Sequence, residues 1–380
     1  MIKSNKIISF LLAVLCIVIF FYIWIFLCIK YGNSGYCGAK GNKHNVKWEL
    51  DDDGTLIISG TGKMASYGSV KGNKSCGTFV FGNPKWNGSL KNDIKRVVIE
   101  DGITSIGKQA FYGCSFIEEV IIPDSVKDIG MAAFGKCTFL TKVNIPESVT
   151  VIPAGAFNGC THLKEIVIPD SVEAIEWNAF NGCEKLENVT IPENLTDFGR
   201  NAFQGTAFAS EENGLLIINN IVVDGTKCTG DIVIPDGVTK IGAGAFGLYL
   251  GENENLISVT LPDSVETIDE FAFSDCRNLE RINIPENLKT INKCAFNNCR
   301  NLTGEIILPE RVEYIGERTF NRCYNITGEL ILPKSVEYVG DYAFSGTDLD
   351  TITVLNPALS FSDADYGFNT SHWKVNRVTE

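Results

Sequence analysis

The chain has 380 residues, a formal net charge of −13 and 44% hydrophobic residues. That acidity opposes nucleic-acid binding, which needs clustered Lys and Arg against phosphate, and reads instead as a solvated surface. Thirteen cysteines in a chain of this length are too sparse for a small disulfide-stapled scaffold.

A short tail, residues 1–6, precedes an uncharged apolar run at 7–29, between Lys6 and Lys30. Its 23 residues exceed the roughly 20 that a helix needs to span a bilayer. The run is longer than the apolar part of a secretory signal, and no small-residue cleavage site follows it. The segment is therefore expected to be an uncleaved transmembrane signal-anchor helix, the alternative being secretion after cleavage. Lys3 and Lys6 lie before it and Lys30, Lys40, Lys43 and Lys47 after it. A literal count of these would keep the bulk of the chain in the cytoplasm. Long domains, however, cross largely regardless of charge, so the expectation is a single-pass protein with its bulk outside the cell.

Residues 30–45 read as a linker and 46–98 as an N-terminal β cap. "WELDDDGTLII", at 48–58, is a hairpin pattern of two alternating strands around an Asp-Gly turn. Asp51, Asp52 and Asp53 are followed by no further ligands at calcium-loop spacing, so they read as turn residues. "GTGK", at 60–63, lacks the rest of a phosphate loop and also reads as a turn. If the domain is extracellular, Cys37 and Cys76 could close a disulfide within the cap.

From Ile99 onward one pattern organises the chain. An Ile or Leu followed by Pro or Glu recurs at Ile99, Ile122, Ile145, Ile168, Ile191, Ile234, Leu261, Ile284, Leu308 and Leu332. The intervals are 23, 23, 23, 23, 43, 27, 23, 24 and 24 residues. Taking that residue as position 1, position 13 is Phe in all ten copies: Phe111, Phe134, Phe157, Phe180, Phe203, Phe246, Phe273, Phe296, Phe320 and Phe344. Position 12 is Ala in nine copies, and positions 5 and 8 are aliphatic except for Phe198. Each unit thus has one apolar face that it cannot bury alone, and stacked units would form a continuous core. "LTKVNI", at 140–145, alternates as a half-buried strand, so successive units should pair in parallel about 4.8 Å apart. The fold class expected is a repeat solenoid, mainly β with short turns or helical segments, carrying a parallel sheet along one face. Ten units fill 99–353, and 354–380 is a C-terminal cap or tail.

The unit "IPxSVxxIGxxAFxxCxxLxxVxIP" resembles the BspA-like, or Treponema pallidum-type, leucine-rich repeats. The resemblance covers most of the chain, and "VKWELDDDGTLIISGTGKM" at 46–64 is similar to the family's N-terminal region. It implies a surface protein. Relatives are associated with attachment to host matrix proteins such as fibronectin and fibrinogen, and with aggregation between cells.

Two irregularities interrupt the array. An insertion at 207–230 includes "GLLIINNIVVDGTK", which reads as a hairpin or a degenerate coil around Asn219 and Asn220. Four extra residues near 247–256 read as a longer loop. Insertions of this kind map to loops on one face.

Seven copies carry Cys at position 16: Cys114, Cys137, Cys160, Cys183, Cys276, Cys299 and Cys323. Thr206, Tyr249 and Thr347 occupy the position in the other copies. Cysteines a whole coil apart form a line, whereas zinc needs four ligands converging as a tetrahedron. Their parallel Cβ vectors also keep the sulfurs too far apart for disulfides. The row therefore reads as a buried ladder of small apolar side chains with weak S–H donors. Cys228 and Cys294 fall outside it, Cys294 reading as a packing residue.

His44, His162 and His372 are scattered and lie in no metalloprotease, hydrolase or phosphate-loop context. No enzyme activity and no cofactor is expected. The candidate binding face consists of outward strand positions: Thr141, Lys142, Asn144, Lys164, Glu165, Glu187, Asn188, Thr190, Glu280, Arg281 and Asn283. Singly each could merely solvate the sheet; together they offer a preorganised platform for a protein or glycan. The function expected is protein binding or cell adhesion. The alternatives are an envelope protein that associates with itself and, last, an enzyme with its site in the insertion.

Overall fold

The computed structural model describes residues 34–67, 86, 89–208, 214–247, 255–359 and 374–378. The apolar run 7–29, Cys76, the loop residues 248–254 and His372 lie outside the described residues. Among the described residues no helix is long and apolar enough to cross a membrane. Helical structure there is limited to 3-10 turns such as Ser89–Asn92. The chain divides into two compact units, Met1–Ser148 and Val149–Glu380.

In the first unit the strands Ser34–Tyr36, Val46–Leu50 and Thr55–Gly60 pair antiparallel. Arg96–Ile99, Glu119–Ile121 and Lys142–Val143 then extend the same sheet in parallel. The hairpin between the second and third strands forms as its sequence suggests. Asp51 Oδ1 accepts the N–H groups of Asp53 at 3.0 Å and Thr55 at 2.7 Å, so the aspartates close the turn. Two expectations change here. The stretch expected as a linker supplies Ser34–Tyr36, the edge strand of the cap. Gly62–Lys63, expected as a turn, is a short strand paired in parallel with Ile103–Ile106, which in turn pairs with Asp128–Ile129 on the opposite face. Gly60 and Gly62, at φ 111° and 95°, make the change of direction that places it there.

The second unit repeats this two-faced construction. Position-22 strands pair in parallel within Glu165–Val167 and Asn188–Thr190, and within Gly230–Val233, Leu256–Thr260 and Arg281–Ile282. Thr327–Leu332, Asp348–Val354 and Lys374–Arg377 form a further parallel sheet. On the other face, two-residue strands at positions 7 and 8 stack in register, as Lys240–Ile241, Thr267–Ile268, Thr290–Ile291, Tyr314–Ile315 and Tyr338–Val339 do.

Within each unit a phenylalanine column runs between the two faces. Neighbouring rings are nearly parallel, with centroids 5.3 Å apart for Phe111 and Phe134, 5.2 Å for Phe273 and Phe296, and 5.0 Å for Phe296 and Phe320. All ten position-13 rings are buried. Three hydrogen-bond ladders explain the rest of the consensus. The Phe N–H donates to the position-12 carbonyl of the next coil, as from Phe273 to Ala295 at 2.7 Å. The position-4 serine hydroxyl donates to the position-5 carbonyl of the preceding coil, as from Ser171 to Val149 and Ser335 to Val312. The position-16 thiol donates to the preceding coil's Phe carbonyl, at 3.2 Å from Cys137 to Phe111 and 3.0 Å from Cys299 to Phe273. The seven thiols of the row are buried and form no disulfides, and burial pushes the Cys114 thiol up to about 12.

Thr206 and Thr347 replace cysteine where a run of regular coils ends. Their hydroxyls turn back to the Phe carbonyl of their own coil, Phe203 and Phe344, each at 2.8 Å. A carbonyl that no thiol from a following coil reaches thus still finds a donor.

Each phenylalanine-bearing coil passes through the left-handed region at position 11 and, wherever that residue is described, at position 15. Position 15 is often glycine, as at Gly159 and Gly182, whereas position 11 includes Phe271, Cys294, Arg318 and Tyr342 at φ 55–59°. Cys294 is buried, as a packing residue should be, but its place is set by this bend.

The insertion is both a hairpin and a coil. Leu216–Ile218 and Ile221–Asp224 pair antiparallel, and the latter also pairs in parallel with Lys240–Ile241. The Gly225 N–H donates to Ala245 O at 2.7 Å, the bond that a position-13 Phe makes elsewhere. Gly225 therefore stands in the phenylalanine column, and the solenoid has about 11 turns rather than ten. Cys228, three residues later, takes the place of a row cysteine, which corrects its exclusion from the row. Asn219 replaces serine, its Nδ2 donating to Leu195 O at 2.7 Å. A Cβ on Gly225 would lie 2.4 Å from the Phe246 ring. Gly225→Ala is therefore expected to destabilise the protein by about 1–3 kcal/mol through overpacking, measured by urea unfolding.

Candidate binding surface

All eleven residues of the candidate face are exposed. They fall into three groups, positioned by alternation along short strands whose inward neighbours, such as Ile166, are buried.

In the first unit Arg96, Glu119 and Lys142 occupy matched positions on three neighbouring strands. Glu119 accepts from Lys142 at 2.8 Å and from Arg96 at 2.9 Å. The Lys142 ammonium, with Arg96 beside it, holds the Glu119 carboxyl below its ordinary value. Thr141 Oγ1 donates to Glu118 O at 3.0 Å.

In the second unit Glu165 lies beside Asn188 in the ladder, with Lys164 and Glu187 at the strand starts and Thr190 opposite Val167. Further along the chain, Arg281 pairs with Glu280 at 3.1 Å and with Asp231 at 3.7 Å. Asn144 and Asn283 have a different role from their neighbours. Asn144 accepts from Ile122 N at 2.9 Å and donates to Ile122 O at 2.7 Å, and Asn283 binds Leu261 in the same way. Both asparagines thus spend their polar ends on the preceding coil's backbone.

Three features escaped the sequence reading. Val167, Val233 and Ile331 are apolar residues at outward positions just before position 1. On the opposite face Tyr314 and Tyr338 stack at 4.9 Å, beside a Lys293–Glu317 pair and Arg318 over the Tyr342 ring. Tabulating position 7 across the copies would have singled out both tyrosines.

The third feature is an interruption of the strand face. Coils 284–307 and 308–331 have one residue more than the 23-residue coil before them. Gly304 and Gly328, at φ 96° and 85°, mark the excess. Thr303 N still donates to Glu280 O at 3.1 Å, but residues 305–309 form no strand. A cleft of about 700 Å³ opens there, lined by Ile282, Asn283, Ile284, Glu286, Glu305, Ile307, Pro309, Glu310 and Arg311. Among the described residues no cluster of His, Cys, Asp or Glu is arranged to hold a metal. His44 packs edge-on against Tyr36, and His162 lies against Thr161.

A comparison with known families decides what these coils are. The model of the "BspA type Leucine rich repeat region" matches six copies over residues 89–209 and 247–371. The chain belongs to that family. The BspA-type match skips the stretch 210–246, which contains the glycine-bearing coil. Among solved structures, a leucine rich cell surface protein from Faecalibacterium prausnitzii is 25% identical, with 87% of this chain and 97% of that chain covered and a TM-score of 0.42. A leucine-rich repeat protein from Eubacterium ventriosum is 21% identical, with 87% and 99% covered and a TM-score of 0.42. The pneumococcal vaccine antigen PcpA is 18% identical, with 91% and 95% covered and a TM-score of 0.45. No curated protein sequence matches the chain.

Proposed function

We propose that this protein is a membrane-anchored, non-enzymatic surface protein that binds protein partners through the outward strand face of its solenoid. The observation that carries the reading is the division of labour within each coil. Phe, Cys, Ser and the inward aliphatic residues are consumed by stacking. The outward residues, among them Lys164, Glu165, Glu187 and Asn188, are exposed on a fixed backbone and are not needed to build it. Such a face loses little conformational freedom on binding. Membership of the BspA-type family supports a binding role, and the charge-free run 7–29 supports an N-terminal anchor.

The test is binding of the full chain to immobilised matrix proteins, including fibronectin and fibrinogen, and to whole cells, across a range of salt. Saturable binding that weakens as salt rises is expected. Uniformly absent binding, together with concentration-dependent self-association in sedimentation, would replace this reading with self-assembly. Protease shaving of intact cells should release fragments of the repeat region if the bulk lies outside.

A further inference from the structure

We propose that the cleft around Ile307 takes an extended, basic segment of a partner protein, bound as an added β-strand. The inference rests on the protein-binding reading above and gives it a place and a chemistry. The parallel sheet that ends at Arg281–Ile282 does not continue into the next coil, and a new sheet begins only at Thr327–Leu332. Residues 305–309 between them run outside any ladder, joined to the following coil by the isolated bridge of Gly304 with Ile326. A strand edge facing such a gap presents backbone donors and acceptors to an incoming strand.

Four residues of the lining are apolar: Ile282, Ile284, Ile307 and Pro309. Ile307 is 76% exposed, the highest value among the described large apolar side chains. Its equivalent one coil earlier is Asn283, so a polar, backbone-capping residue is replaced by one that gains from being covered. The lining also carries Glu286, Glu305 and Glu310 against the single cation Arg311. None of the three glutamates makes an ion pair among the described residues. An occupant with aliphatic side chains for the isoleucines and Lys or Arg for the glutamates is complementary, and an acidic segment is repelled. A glycan fits poorly, since no aromatic ring lines the cleft for a sugar to stack on.

The test uses the full chain and a fluorescent, end-blocked octapeptide of alternating valine and lysine, with a valine–glutamate octapeptide as control, followed by anisotropy. The valine–lysine peptide should bind saturably and at least about tenfold more tightly than the control. Ile307→Lys should weaken it by at least about tenfold, a typical loss for a central apolar anchor. Val167→Lys makes the same change at the same outward position of a coil far along the sequence and should alter affinity by less than about twofold. Thermal melting of both variants establishes that they fold. Equal binding by Ile307→Lys, or an equal loss in Val167→Lys, overturns the cleft. Retained matrix-protein or cell binding, with no peptide binding by the wild-type chain, overturns the cleft while the protein-binding reading stands. Peptide binding lost in Ile307→Lys supports the cleft even if every matrix protein and cell tested is negative, in which case the adhesion reading falls.

Discussion

Phe296→Ala is expected to destabilise the protein by about 3–5 kcal/mol, the usual range for truncating a fully buried phenylalanine. The side chain is inaccessible to solvent and lies between Phe273 at 5.2 Å and Phe320 at 5.0 Å, both within 5° of parallel. Its loss therefore weakens two coil interfaces at once. In a solenoid, stability is approximately a sum of coil terms and nearest-neighbour terms, so a defect in the middle also uncouples the two sides. The urea midpoint should fall, and the transition should broaden as the array ceases to unfold as one cooperative body. Phe344→Ala supplies the comparison. Phe344 stacks on Phe320 at 5.7 Å in the last regular coil of the column, so its truncation should cost less and leave cooperativity nearly intact. Equal losses at the two sites would show that stacking between coils does not carry the stability. An unchanged midpoint for Phe296→Ala would remove the column from the account altogether.

This column was also the most legible part of the sequence. A residue type that returns every 23 positions inside an apolar face has few physical meanings, and invariant Phe with Ala before it fixes both the inward direction and the close approach of the backbone. The cysteine row was legible for the same reason. Single positions that break the rule by substitution were not. Gly225 does the backbone work of a position-13 Phe without its ring, while Phe208, from the end of the preceding coil, packs 5.6 Å from Phe203. A search for phenylalanine passes over such a coil, and Cys228 was left out of its row with it. The candidate face was legible as exposure, because alternation along a strand dictates it. What each outward side chain is spent on depends on the neighbouring coil, as Asn144 and Asn283 demonstrate by capping backbone a coil away. The cleft was half visible. Two intervals of 24 residues stand in the sequence, but whether an extra residue is absorbed or breaks the ladder depends on which strand lies next to it. Thr327–Leu332 keeps its pairing with Asp348–Val354 through a register shift after Gly328, whereas residues 305–309 lose theirs.

The start of the array poses the problem that any stacked structure must solve, and Trp86 solves it. In the regular coil pairs within each unit the position-12 carbonyl accepts from the Phe N–H of the coil before it, but Ala110 belongs to the first phenylalanine-bearing coil. Its carbonyl accepts instead from Trp86 Nε1 at 3.1 Å. The same indole lies 5.7 Å from the Phe111 ring at 23°, so one side chain terminates both the hydrogen-bond ladder and the aromatic column. Trp48 and Tyr67 then meet Trp86 edge-on, at 5.8 Å and 5.9 Å. Nothing in the 23-residue period points to Trp86, since the cap that holds it has no repeat. Trp86→Ala removes a fully buried indole and leaves the Ala110 carbonyl without its donor, so a loss of about 3–5 kcal/mol is expected, concentrated at this end. Trp86→Phe keeps a ring over Phe111 but not the N–H donor, and should cost about 1–3 kcal/mol. Hydrogen exchange separates the two effects. In Trp86→Ala the amides of Phe111 and Gly113, which donate to the next coil, should lose protection together, while those of Phe296 and Phe320 keep theirs. An uncovered first coil is also a strand-like template for another chain, so Trp86→Ala should associate with itself in sedimentation at concentrations where the wild-type chain does not. Protection at Phe111 that survives the alanine substitution would show that the array holds its first coil without an aromatic cap.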